Sequence, residues 1–496
     1  MSVMSPHSVV VGGGCGGMSM ALLLAEAGHR VTLLEATRHI GGCMQRFTRQ
    51  GIPFDTGFHF TGGFEDILSQ MLCVLKMDDL VLPSPFRTRH FFPQTGESLA
   101  CPNDGIDSLC AFLCNRFPND ATAIQDYYRI EKDVIRHTPM FDLLDTTPLS
   151  FASFCESDTL SLADFMQKHQ LSEECAAVLC GYAMCHGNPP HLTSMTYHCR
   201  VSYGLDNHIR RVKHGGQAFI DAFVRQADKL DVAIRPDSAI ASCGELDASQ
   251  QCHHLTLTTG EELTADNVFF AIHPSSVLAL LPEQARPPAL MRRARRMSDT
   301  SSFFSVYASI DSTVKDFTPE MVSYLATTNL EKILAGQENE YGIGLAFGNE
   351  TSTEGNPCHT LTAFRPMSES LTASWQNVQD YHHAPDYLAF KERHTAQIIA
   401  AVERACPNLR GHLKVLATAS PLTFADWRPP NGSGYGIVKR LSPIGFFGQL
   451  PVRNFYALGQ NALAPGVLGT LMTSFLTARM VLGDDAYFSL VHSCLK

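Results

Sequence analysis

The chain has 496 residues, 45% of them hydrophobic and 18% charged, with 36 Gly and 27 Pro. This composition is ordinary for a folded protein and excludes collagen-like, coiled-coil and disordered classes; at ~150 residues per domain, the length predicts about three compact units or two larger interleaved ones. The 38 Lys and Arg against 49 Asp and Glu leave a net charge of −11, the wrong sign for a surface that tracks phosphates, which argues against a nucleic-acid partner.

The opening MSVMSPHSVVVGGGCGG has no basic stretch leading into an apolar one, so no signal peptide is expected. Residues 8–11 are apolar and β-branched and predict a strand, residues 18–27 are helix formers ending at Gly28, and residues 31–35 predict a second strand. Gly12, Gly14 and Gly17 fill the three positions of a G-x-G-x-x-G turn between the first strand and the helix. Glu35 closes the second strand about 20 residues further on. Together these elements make a βαβ dinucleotide unit. Gly12 permits the tight turn, Gly14 lets a pyrophosphate approach the backbone, and Gly17 lets the helix pack on the strand. The helix amino terminus faces the phosphates with free N–H groups. Glu35 can accept hydrogen bonds from an adenosine ribose and would repel a 2′-phosphate. A second glycine pair, Gly41-Gly42, and the turn Asp55-Thr56-Gly57 exceed what a simple nicotinamide dehydrogenase needs and suggest a larger cofactor.

From residue 66 to about 203 the pattern turns to helical stretches, such as 124–135 and 161–170, joined by Pro-containing loops. Ser161 and Asp164 form a capping-box variant. Within this region Cys175, Cys180, Cys185, His186, His191, His198 and Cys199 crowd together. Steps of five residues rotate a helix by about 500°, so the thiols do not share a face, and no metal site is expected. The chain's 16 Cys are too sparse for a disulfide scaffold, and free thiols are expected. Next come an amphipathic helix at 217–230, a short strand at 232–235, a hairpin-like stretch at 253–263 and a buried strand at 268–272. Arg292, Arg293, Arg295 and Arg296 form a basic cluster, read as a solvated helix face that can also meet anionic headgroups. Strands at 302–310 and 359–365, a long helix at 387–406, a strand at 454–460 and a helix at 469–482 complete the chain. No run of 18 apolar residues occurs, so no spanning helix is expected. The expected location is cytoplasmic, with peripheral membrane contact left open.

Four blocks in order carry a resemblance: GGCMQRFTRQGIPFDTGFHFTGG (41–63), KHGGQAFIDAFVRQA (213–227), ACPNLRGHLKVLATASPLTFADWRPPNGSGYGI (405–437) and PVRNFYALGQNALAPGVLGTLMTSF (451–475). With these the chain resembles the FAD-dependent phytoene desaturase, carotenoid isomerase and retinol saturase group of the flavin amine oxidase superfamily. The resemblance implies an α/β fold: a Rossmann-type FAD-binding domain of residues 1–65, 204–285 and 435–496, with an inserted α+β substrate domain of residues 66–203 and 286–434. It implies non-covalent FAD, whose ADP half meets Gly12, Gly14, Gly16, Gly17 and Glu35. Arg38, Gly41 and Gly42 would approach the pyrophosphate and ribityl, and backbone near Ile234 the adenine. Gly459 and Gln460 fall beside the flavin phosphate, where relatives carry an acidic residue in place of Gln460. Val467, Leu468 and Gly469 open the last helix, whose positive end would face the flavin.

On the same ground His59 would lie beside the isoalloxazine, its near-neutral titration suited to a proton donor, or else pack between Phe58 and Phe60. Tyr435 would orient or protonate the substrate, or cover the cofactor. Only one nucleotide fingerprint is visible, so electrons would come from a partner, a quinone or transiently bound NAD(P)H. The implied activity is flavin hydride transfer on carbon–carbon bonds of a hydrophobic polyene or isoprenoid: saturation, desaturation or isomerisation. An amine or protoporphyrinogen oxidase, or a flavin-binding protein without turnover, are the alternatives. The oligomeric state is not legible.

Overall fold

The computed structural model describes residues 5–148, 158–314, 317–427, 432–440 and 448–495; parts of both domain ranges and of the 405–437 block lie outside the described residues. β1 (His7–Val11) is buried along its whole length, as a strand covered on both faces must be. α1 (Cys15–Glu26) follows directly, and β2 (Arg30–Leu34) returns parallel to β1 with Val9 opposite Thr32. A sheet of six strands grows around this pair in the order Gly448–Gln449, Phe455–Ala457, Asn267–Phe270, β1, β2, Ala233–Arg235. All of its pairings are parallel except the one between the first two strands. Residues 16–24 of α1 are buried without interruption, because the sheet lies on one side and the helix Gly466–Leu482 on the other, with Ser19 Oγ 2.9 Å from Ser474 Oγ.

A second sheet has seven strands, in the order Leu413–Ala419, Ser302–Ile310, Pro357–Met367, Gly342–Thr351, Glu320–Leu325, Arg87–Phe92, Glu97–Cys101. It is antiparallel except where Glu320–Leu325 runs alongside Arg87–Phe92. The helices Ile106–Arg116, Ala121–Arg136, Leu162–Lys168, Glu173–Leu179 and Met195–Asn207 share their own apolar core, with Tyr127, Phe165 and Met195 fully enclosed. Ser161 caps its helix through the box expected, Oγ accepting from Asp164 N–H at 2.9 Å.

Two contacts tie these parts together. The hairpin Arg46–Arg49 and Ile52–Asp55 meets the long strand Gly342–Thr351 through four nearly dry charges. Arg46 and Arg211 each reach Glu350 at 2.7 Å and also bridge Asp55, at 3.2 and 3.5 Å. Alternating signs let each charge neutralise two neighbours, which is what keeps such a group inside a protein. The second contact is bare backbone: a Cβ on Gly62 would stand 2.1 Å from the Gly204 carbonyl.

Candidate cofactor and substrate site

The turn after β1 carries the local geometry. Gly12 has φ +103°, and a Cβ on Gly17 would stand 1.9 Å from the Gly12 carbonyl oxygen, so α1 can sit this close to β1 only with glycine there. At Gly14 an added Cβ would meet no protein atom within 4 Å. Gly14 is also the amino-terminal cap of α1, and no side chain satisfies that end, which leaves free N–H groups and the positive end of the helix dipole. Glu35, at the tip of β2, is fixed on the same loop: one carboxylate oxygen accepts from Gly13 N–H at 2.8 Å, the other from the Thr37 N–H and hydroxyl at 2.9 and 2.8 Å.

This loop opens into a cavity of about 1010 Å³, at the large end of the ~300–1,000 Å³ typical of ligand sites. Gly12, Gly14, Gly16, Glu35 and Gly42 line its head. Gly459, Gln460, Val467, Leu468 and Gly469 line the adjacent wall, where the Gly466–Leu482 helix begins with no side-chain cap and Thr473 Oγ1 holds Gly459 N–H at 2.9 Å. Four residues from the sequence-based set stand elsewhere. Gly17 is beneath the loop, against β1. Gly41 packs on Ile220 and donates its N–H to Gly13 at 2.7 Å. Ile234 pairs with Leu33 in the sheet, outside the cavity wall. Arg38 is exposed and also outside that wall, because the chain turns outward at Thr37, whose N–H and hydroxyl are spent on Glu35.

Beyond the head the cavity passes His59 and Tyr435, then enters the helical region past Tyr128, Tyr182 and Tyr197. His59 stacks on Phe364 with ring centroids 4.6 Å apart and 12° between planes; Phe303 stands edge-on to both Phe364 and Tyr435, at 5.9 and 5.8 Å. A file of rings therefore joins the two side chains proposed from sequence. The near-neutral titration expected of His59 is not found. Burial, reinforced by the Arg211 guanidinium, lowers its pKa to about 3, so the ring is neutral at pH 7 and holds no imidazolium proton to give.

The crowded Cys and His stretch forms a dry hydrogen-bonded chain through His186 and His198 to Tyr127. No group of three or more His, Cys, Asp or Glu placed to hold a metal ion occurs among the described residues. Two acids in this region were not singled out in the sequence, Glu131 and Asp206. They lie on different helices and are 0% and 5% exposed. The one signal available was a Glu on the buried face of an otherwise regular amphipathic helix.

A phosphate-ready glycine turn at the head of a parallel sheet, with an acid at the tip of the next strand, defines a dinucleotide-binding α/β oxidoreductase. Comparison narrows the class. Residues 15–355 match the family of flavin-containing amine oxidoreductases. Human all-trans-retinol 13,14-reductase is 25% identical over 97% of this chain and 86% of its own length. The chloroplastic prolycopene isomerase of Daucus carota is 21% identical over 96% of this chain and 80% of its own. An oxidoreductase from Methanosarcina mazei superposes with a TM-score of 0.64 at 15% identity, covering 96% of this chain and all of that one. The chain belongs to the flavin-containing amine oxidoreductase family, and a flavin carried on a dinucleotide site is FAD. The open cradle at Gly14, the uncapped end of α1 and the carboxylate of Glu35 fit that cofactor.

Proposed function

We propose that the protein is an FAD-dependent oxidoreductase that saturates, desaturates or isomerises carbon–carbon bonds of an apolar polyene or isoprenoid. The observation that carries this reading is the largely apolar wall of the cavity past the cofactor loop. His59 and His90, both on its wall, are held neutral by burial, with pKa values of about 3 and 4, and the remaining surface there is largely rings and aliphatic groups. Such a wall suits an uncharged conjugated chain. The two full-length relatives named for retinoid and lycopene chemistry support the same choice.

When bound, FAD supplies hydride acceptance and donation. Gly12, Gly14 and Gly16 would seat its pyrophosphate, Glu35 its ribose, and the start of the Gly466–Leu482 helix would stabilise negative charge at the far end. His59 with Phe364, and Tyr435 with Phe303, would clamp the substrate by their ring faces and keep water out. NAD(P)H is the electron donor we would test first. No helix among the described residues is long and apolar enough to cross a membrane. The exposed Arg292, Arg293, Arg295 and Arg296 would meet anionic headgroups where the substrate is loaded, and binding to neutral vesicles as strong as to anionic ones would refute that contact. Mass spectrometry of lipid extracts from cells with and without the protein tests the main reading. A polyene or prenyl lipid changed by two mass units, or by isomer, is expected; unchanged lipids together with a consumed amine would contradict it.

A further inference from the structure

The helix Ala121–Arg136 and the helix Met195–Asn207 bury a hydrogen-bonded chain whose direction is fixed at one end. The Asn188 N–H donates to His186 Nδ1 at 3.1 Å. Both histidines in the chain are neutral, because burial and, for His186, the neighbouring His198 lower their pKa values. A neutral ring that accepts at Nδ1 carries its hydrogen on Nε2, so His186 Nε2 donates to His198 Nδ1 at 3.0 Å. By the same rule His198 Nε2 donates to the Tyr127 hydroxyl at 2.9 Å. Tyr127 must then donate to Ser202 Oγ at 3.3 Å, and Ser202 donates to Glu131 Oε1 at 2.5 Å. Five donors in series end on one carboxylate. The far end is equally fixed, since the Asn188 side chain pairs with the Lys439 backbone at 3.2 Å in both directions.

Glu131 in turn contacts Asp206, and burial raises the pKa of both carboxyls, that of Glu131 to about 8. Among the described residues, Glu131 Oε2 and Asp206 Oδ2 are buried oxygens that no other donor reaches; one proton shared between the two carboxyls answers both. Ser202 approaches both carboxyls, but the contact between them raises the pKa of Asp206 and lowers that of Glu131, so Asp206 is the better holder of the proton. Asp206 is also the member of the pair on the cavity wall, beside Tyr128, Tyr182 and Cys185. With its proton turned toward Glu131, its remaining lone pairs form an acceptor on a cavity wall that also carries rings and thiols.

We propose that Asp206, oriented by Glu131, is the specificity-determining contact for a hydroxyl group on an otherwise apolar substrate, so that the cavity prefers an alcohol to the corresponding hydrocarbon. The inference rests on the polyene reading above and adds which end of the molecule is recognised and by what. A substrate hydroxyl donates its hydrogen to Asp206, whereas a hydrocarbon leaves that acceptor unpaired in a dry wall.

The test is an equilibrium binding titration of oxidised, FAD-loaded protein, read by quenching of protein fluorescence, with all-trans-retinol and with the hydrocarbon of the same skeleton lacking the oxygen. The native protein is expected to bind the alcohol roughly tenfold more tightly, the scale of one buried hydrogen bond lost. Asp206→Leu should erase that preference while hydrocarbon binding is kept, and Asp206→Asn, which keeps a carbonyl acceptor and a donor toward Glu131, should retain most of it. Flavin content and melting temperature of each variant report whether it has folded. Equal binding of both ligands by the native protein, or a preference that survives Asp206→Leu, overturns the anchor and leaves the polyene reading standing. Binding of neither ligand overturns both.

Discussion

At the scale of single residues, the glycine turn makes the sharpest claim. A valine at Gly14 would put its side chain into the open cradle above α1, where nothing of the protein stands within 4 Å. Gly14→Val is therefore expected to fold with normal stability yet purify without FAD; a stoichiometric flavin spectrum in that variant would remove the turn from the cofactor site. His59 gives a prediction in the other direction. Since its pKa lies near 3, loss of the imidazole removes packing on Phe364 and no acid. We expect His59→Phe to retain flavin and to slow the substrate half-reaction by less than about tenfold, against the ~10²–10⁴-fold of a lost general acid. A larger loss in single-turnover kinetics would restore His59 as the proton donor. The glycines were legible because each must be glycine for a local reason, a positive φ or a clash with the neighbouring strand. The titration of His59 was not, because it depends on Arg211 and on burial that chain positions 41–63 do not reveal. Asp206 and Glu131 were hidden for the same reason: each becomes unusual only beside the other.

At the scale of elements, periodicity and capping located the helices and strands they named to within a few residues. The strand at 302–310 coincides with Ser302–Ile310, and the helix expected at 217–230 is Gly216–Lys229. The last helix begins at Gly466 rather than at 469, because Pro465 can stand as its cap and leave the first turn free. Beyond reach of any local pattern was the pairing of Arg87–Phe92 with Glu320–Leu325 across more than two hundred residues, since strand periodicity fixes a face and not a neighbour. The four-charge clasp at Arg46, Asp55, Arg211 and Glu350 has the same character, its members scattered in sequence. Its side chains are 3–11% exposed, so removing one leaves its partners charged and dry. Glu350→Ala should cost about 3–5 kcal/mol in chemical denaturation, and a loss under 1 kcal/mol would show that water replaces the missing carboxylate.

At the scale of the whole molecule, buried titratable groups give stability two opposing pH arms. His59, His90 and His198 have native pKa values of about 3, 4 and 3, below the ordinary 6.5. Their contribution is present above that value and is lost as pH falls toward the native ones. The Glu131–Asp206 pair runs the other way: burial raises both carboxyls above the ordinary carboxylate value, Glu131 to about 8, so the pair's contribution is present at acid pH and is lost as pH rises to about 8. Each group adds a slope of at most ~1.4 kcal/mol per pH unit. Glu131→Gln should accordingly flatten the fall in denaturation free energy between about pH 4.5 and 8, and an unchanged slope in that window would mean that the proton of the pair is not held. The account as a whole turns on what the cofactor meets in the ring-walled cavity. The most direct measurement is anaerobic: the FAD-loaded protein is mixed, after photoreduction, with a conjugated polyene and, in its oxidised form, with a small primary amine, and both flavin and polyene absorbance are followed in time. We predict that the polyene loses or shifts its absorption in step with flavin oxidation or as an isomer forms, and that the oxidised protein is not reduced by the amine. Prompt reduction of the oxidised flavin by the amine, with every polyene left unaltered, would contradict the assignment.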